Sequence, residues 1–150
     1  MRLRDLLDES VVKIGLESSD KEECFEEMVD VLVRAGRLKN PAAALEALRA
    51  REEEGSTGIG RGFAVPHGKI DGLPDVIVAM GTSRDGIEFD AVDDKPVYVV
   101  LMVLAGFKQP GKHLQALAEA ARLIRVPGFY KRLAAASTPK ELLGFFDEEE

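Results

Sequence analysis

Val97 to Leu104 reads Val-Tyr-Val-Val-Leu-Met-Val-Leu, with Tyr98 contributing the only hydroxyl. A strand solvated on one face alternates apolar and polar residues. An unbroken apolar run of this length marks a strand covered on both faces. Extended through Ala105, the run stops at Gly106 and is far short of the roughly 20 residues a membrane helix needs. No membrane insertion is therefore expected. A strand covered on both faces needs a layer above it and a layer below it. The rest of the chain offers amphipathic helices on either side of this run, which predicts an α/β fold, a three-layer α/β/α sandwich with a small mixed sheet.

The remaining elements follow from periodicity and punctuation. Val11 to Leu16 is β-branched, bounded by polar residues, and reads as a first strand. Ser18-Ser19-Asp20 offers an N-cap to a helix whose apolar stripe is Phe25, Met28, Val29, Leu32 and Val33, closed by Gly36. Asn40 caps a second helix that starts at Pro41 and ends near Arg51 and Gly55. Short strands are expected at Phe63–Val65 and Val76–Met80, with turns at Asp85-Gly86 and at Asp93 to Pro96. After the central strand, a polar loop at Lys108 to Lys112 leads to a helix at 113–124. Two short helices complete the order β-α-α-β-β-β-α-α-α, one over 129–135 and one capped by Ser137-Thr138. All 150 residues form one unit, with no repeat or linker.

Charge and cysteine content narrow the function. The net charge of −7 argues against nucleic-acid binding, which needs a basic face. Part of the acidity is local, in Glu52-Glu53-Glu54 and in the tail 147–150, both most simply read as solvated surface. The single cysteine, Cys24, sits in a helical stripe beside Phe25 and reads as a core thiol in a reducing compartment. Met1-Arg2-Leu3-Arg4-Asp5 turns polar before any apolar core develops, so no signal peptide is expected and the protein is placed in the cytoplasm. Two histidines without clustered cysteines make a poor metal site, and no cofactor is called for.

The chemistry concentrates in Gly58-Ile-Gly-Arg-Gly-Phe-Ala-Val-Pro-His-Gly-Lys69. Its glycines match neither the dinucleotide nor the P-loop spacing. A residue before proline is pushed towards extended geometry, so Val65 is expected to close a strand. His67 would then stand at a strand end, between Pro66 and a Gly68 free to adopt turn dihedrals. Such a histidine is a turn residue or a reactive group, and the spacing fits both. The second histidine, His113, falls where a helix begins, next to unpaired N–H groups and a partial positive charge that suit an anion. An exposed histidine without a role fits the same position.

Taken together, Arg51-Glu52, Ser56-Thr-Gly-Ile-Gly60, Ala64-Val-Pro-His-Gly68 and His113-Leu114 at a helix start resemble the enzyme IIA components of the bacterial phosphoenolpyruvate-dependent phosphotransferase system, in the fructose/mannitol/nitrogen-regulatory class. The resemblance runs from the opening turn to Thr138-Pro-Lys-Glu-Leu-Leu143, and implies that residues 1–150 are a single type 2 IIA domain. It implies that His67 accepts a phosphoryl group from the histidine phosphocarrier protein and passes it to a IIB component. His113 and Arg51 would support the phosphoryl group, and Thr57 and Gly68 would help bind it. Many relatives carry an acid before the second histidine. Here Lys112 stands there, and an adjacent ammonium would lower the pKa of His113. A regulator of the nitrogen type, which signals through phosphorylation-dependent binding of target proteins, fits the same residues. So does a pure interaction module on this fold. A hydrolase is poorly supported, for want of a nucleophile elbow or a Cys/His pair.

Overall fold

The central strand is β6, Val97–Ala105, and every residue in it is buried except the half-buried Tyr98. The computed structural model describes residues 1–150. Around β6 the chain forms two opening 3-10 turns (Leu3–Leu6 and Glu9–Val11), then β1 (Val12–Ile14), α1 (Lys21–Arg34) and α2 (Pro41–Glu53). Three short strands follow: β2 (Gly58–Gly60), β3 (Phe63–Ala64) and β4 (His67–Lys69). The long strand β5 (Ile77–Ile87) precedes β6, and α3 (Pro110–Ile124), α4 (Phe129–Ala135) and α5 (Pro139–Glu149) follow it.

The sheet runs β1-β5-β6-β3-β2, with β4 also paired to β6. It is mixed. β1 lies parallel to β5, β3 and β4 lie parallel to β6, and the β5–β6 and β2–β3 pairs are antiparallel. Helices α1 and α2 pack on each other and on β5 and β4, while α3 and α4 cover β6 and α5 meets β1. One cluster of 42 buried apolar residues joins the layers. The expected caps form: Asp20, Asn40 and Thr138 accept hydrogen bonds from the N–H groups of Glu23, Ala43 and Glu141. Cys24 is fully buried, and burial pushes its thiol up to about 12, so it is an inert core group. No helix is long and apolar enough to cross a membrane.

Three local expectations are corrected. Asp85-Gly86 does not end a strand. β5 continues to Ile87 through a bulge in which residues 83–86 lie opposite Tyr98 alone, with Gly86 at φ 88° and its N–H on Ser83 Oγ. Helix α3 begins at Pro110, not at residue 113, because proline supplies a good first helical position and Gln109 flanks it. The third correction concerns Val65, which does not close the edge strand. Phe63 and Ala64 pair with Val99 and Val100, and His67, Gly68 and Lys69 pair with Val103, Leu104 and Ala105. The register is the same on both sides. Pro66 removes one ladder donor, yet its carbonyl still accepts from Val103 N–H at 3.0 Å. The interruption leaves the strand direction intact, which fixes the direction in which His67 points.

Candidate functional site

Because β4 keeps strand alternation, His67 and Lys69 project to one face and Gly68 to the other. Gly68 faces α2, where an added Cβ would lie 3.1 Å from the backbone carbon and from the side chain of Ala47. Its φ is not left-handed. The glycine is needed for close approach of helix to strand, not for turn dihedrals. That approach brings the last turn of α2, with Arg51, to the edge where α3 arrives from the other layer. Between them lies a hollow of about 570 Å³ lined by Ala47, Arg51, His67, Gly68, Lys69 and His113, with Leu114 and Leu117 on its α3 side.

The hydrogen bonds of His67 determine its tautomer. Nδ1 lies 2.8 Å from the Val65 carbonyl, which can only accept, so Nδ1 carries the proton. Nε2 lies 3.2 Å from Nε of Arg51, which can only donate, so Nε2 holds a free electron pair. Arg51 is steadied in turn by Nη1 donating to the Gly55 carbonyl at 2.9 Å. The plainer reading of Arg51, a solvated arginine paired with nearby glutamates, does not hold. The His113 ring stands edge-on to that of His67, with centroids 5.9 Å apart. His113 is only 6% exposed, and its Nε2 has no hydrogen-bond partner.

His113 therefore differs from its expected placement. It is one turn inside α3, with its N–H donating to the Gln109 carbonyl at 3.0 Å, and it is buried. Its pKa is depressed by burial first, then by the positive neighbours His67 and Lys69. Lys112 is not the cause, because its ammonium turns away to Asp75 at 2.6 Å. Burial likewise holds His67 below the ordinary histidine value, Arg51 adds to the effect, and the Val65 hydrogen bond opposes it.

Both imidazoles thus bind protons less readily in the folded chain than in the unfolded one. Stability is complete above the unfolded value of about 6.5 and is lost as pH falls below it, before most carboxylates titrate. Urea midpoints should be level from pH 8 to 7 and decline from about 6.5 towards 5. His113→Gln should remove part of that decline. An unchanged slope in the variant would show that the ring is not protonation-sensitive.

Thr57 is not among the residues lining the hollow. It is buried, and its N–H and hydroxyl both bind the Glu52 carboxylate, at 2.9 and 2.6 Å. That carboxylate also meets Lys21 Nζ at 3.1 Å and its side chain is 7% exposed, so Glu52 is not solvated surface. It ties the end of α2 to the start of β2, immediately beside Arg51. A glutamate inside an acidic run gives no linear signal of this. Arg61, close to His67 in sequence, lies at a different cleft beside Phe63 and Tyr130. No three histidine, cysteine, aspartate or glutamate side chains gather as a metal-binding group. What the hollow offers is a nitrogen nucleophile flanked by a guanidinium, an ammonium and a second imidazole. This set suits an anionic electrophile.

Comparison with known proteins agrees with this chemistry. Residues 5–149 match the family model described as phosphoenolpyruvate-dependent sugar phosphotransferase system, EIIA 2. The chain is 38% identical over 118 residues to the PTS system fructose-specific EIIA component of Haloferax volcanii, covering 79% of this chain and 77% of that protein. It is 33% identical over 150 residues to the fructose-specific EIIABC component of Bacillus subtilis, covering all of this chain and 24% of that larger protein. The crystal structure of the nitrogen regulatory protein IIA-Ntr from Neisseria meningitidis superposes with a TM-score of 0.88 at 31% identity, covering 96% of this chain and 98% of that one. A nucleophilic histidine set among cations on this fold, with a family match over nearly the whole chain, makes the protein a member of the phosphotransferase system EIIA 2 family.

Proposed function

We propose that residues 1–150 act as one cytoplasmic phosphoryl carrier, accepting a phosphoryl group on Nε2 of His67 from the histidine phosphocarrier protein and passing it to a IIB component. The observation that carries this reading is the tautomer of His67, with the proton held on Nδ1 by Val65 and the electron pair on Nε2 directed at Arg51. With its pKa depressed, the ring is neutral and nucleophilic at pH 7. The Nε2 pair forms the new N–P bond as the N–P bond of the donor breaks, and the donor imidazole keeps the electrons of that bond. Nδ1 retains its proton, so the phosphorylated ring carries positive charge next to the Val65 carbonyl. A charged imidazole is also a good leaving group, and the same hydrogen bond therefore favours onward transfer.

Arg51 gives up its bond to Nε2 when phosphorus takes that position and turns its fork to the phosphoryl oxygens. His113 Nε2, unpartnered and buried, gains a phosphoryl oxygen as partner and so avoids the roughly 1–3 kcal/mol cost of an unsatisfied polar group. That relief favours the phosphorylated state. His113→Ala should slow transfer by about tenfold to a hundredfold, the range for one positioned donor, with the label still on His67. Unchanged rates in both directions would remove the ring from the reaction.

A IIB partner is supported by the Bacillus relative, which is named as an EIIABC component and contains the similar region as a part. A second reading, a regulator that signals by binding target proteins according to its phosphorylation state, is favoured by the near-complete overlap with the Neisseria nitrogen regulatory protein. Both begin with the same chemical step. The test is incubation with labelled phosphoenolpyruvate, enzyme I and the phosphocarrier, followed by addition of a IIB domain. Acid-labile label on His67 that moves to IIB supports the carrier. Label that stays on His67 supports the regulator, and no label at all rejects both.

A further inference from the structure

At the other end of β6 from His67, two clefts meet on either side of one side chain, Tyr130. Tyr98 and Val103 are five residues apart on β6, about 17 Å in a strand, so these clefts are separate from the histidine hollow. The first, about 460 Å³, lies between the bulge of β5, Tyr98 and the end of α4, and contains Arg84 and the hydroxyls of Ser83 and Ser137. The second, about 270 Å³, lies between Arg61, the α3–α4 loop with Arg125, and Lys131 on α4.

The arginines decide what these clefts hold. Of 11 arginines in the chain, seven form ion pairs with carboxylates, and Arg51 is engaged at His67. The side chains of the other three, Arg61, Arg84 and Arg125, make no ion pair or hydrogen bond, and all three line these two clefts. Lys131 is unpaired as well. In a protein of net charge −7, four uncompensated cations around one tyrosine are a local reversal of sign. The backbone maintains it. Arg61 is held at φ 59° between Gly60 and Gly62, both also at positive φ, and an L-residue rarely adopts that conformation. The absence of a side chain at Gly62 makes room for the Tyr130 hydroxyl, which a Cβ there would overlap. The hydroxyls of Tyr98 and Tyr130 make no hydrogen bonds within the chain, and burial keeps Tyr130 protonated, as a donor.

We propose that the paired clefts around Tyr130 form a second ligand site, which binds a phosphorylated small molecule carrying two anionic groups, one on each side of the tyrosine. Guanidinium forks match phosphate oxygens two at a time, and free hydroxyls supply the remaining donors. Two clefts with separate cations favour a bisphosphate over a single inorganic ion.

The test is titration of the full chain with fructose 1,6-bisphosphate, inorganic phosphate and unphosphorylated fructose, followed by amide shifts at ionic strength fixed with sodium chloride. The expected result is saturable shifts at Ser83, Arg84, Tyr130 and Lys131 with the bisphosphate, weaker binding of inorganic phosphate, and none of fructose. Arg84→Gln with Arg125→Gln should weaken the bisphosphate by about tenfold or more, the loss expected for removing two charge-assisted contacts, and leave labelling of His67 unchanged. Both residues are exposed, and circular dichroism checks the fold; if the pair is unstable, the single variants are compared instead. Shifts confined to His67 and Gly68, shifts reproduced by sodium chloride alone, or undiminished affinity in folded variants would each overturn the proposal.

Discussion

His67→Gln yields a folded protein that takes up no label from phosphoenolpyruvate, enzyme I and the phosphocarrier. Glutamine keeps the size and polarity of the site and has no ring nitrogen to attack phosphorus. The ring is half-buried at an edge strand and makes only two hydrogen bonds, to Val65 and Arg51. Losing them costs stability on the order of 1 kcal/mol, a modest fraction of a domain's total. The effect on transfer is loss of all signal, because nothing else in the hollow can replace the nucleophile in this geometry. His113 is the only other imidazole in the chain, and it is 6% exposed, screened from a partner protein by the layer to which it belongs. Full labelling of the variant would move the acceptor to His113. Label that is stable in acid and lost in alkali would point to a hydroxyl instead of a nitrogen.

The parts of this arrangement that depend on local chemistry could be read from the chain. Val97 to Ala105 is buried on both faces as its composition requires, and Asp20, Asn40 and Thr138 cap the helices for which they are suited. The pairing of elements could not be read the same way. Pro66 looks like the end of a strand because proline lacks a donor. Whether the neighbouring strand tolerates one missing bond depends on β6, some 35 residues away. The role of Gly68 depends on Ala47 in the same way, and only the approach of α2 reveals it. Glu52 was hidden by company, as one member of a run of three glutamates is indistinguishable from the others until Thr57 folds back onto it. Lys112 gave a misleading cue for the same reason. Adjacency in sequence suggested a charge beside His113, and the helix turns that charge towards Asp75.

Gly68→Val tests whether the close approach of α2 to β4 sets the rate. The valine side chain would enter space held by the Ala47 backbone, 3.1 Å from the position of its Cβ. A helix backbone cannot rotate aside as a flexible side-chain tip can, so α2 must shift away from the edge strand. Overpacking of this kind costs about 1–3 kcal/mol, which a domain with ordinary reserves survives. The shift falls on Arg51, which rides on the last turn of the same helix and reaches Nε2 of His67 at 3.2 Å. Displacement of a positioning group by about 1 Å lowers rates by roughly a hundredfold. The variant should therefore melt a few degrees lower and transfer phosphoryl groups about a hundredfold more slowly. The label should remain on His67, whose own hydrogen bond to Val65 lies within the strand. The pKa of His67 should rise towards its ordinary value as the guanidinium withdraws, which a histidine Cε1 proton titration by NMR measures directly. Slow transfer with an unchanged pKa would mean that Arg51 had stayed in place. The loss would then belong to the docking surface, not to the distance between the guanidinium and the ring.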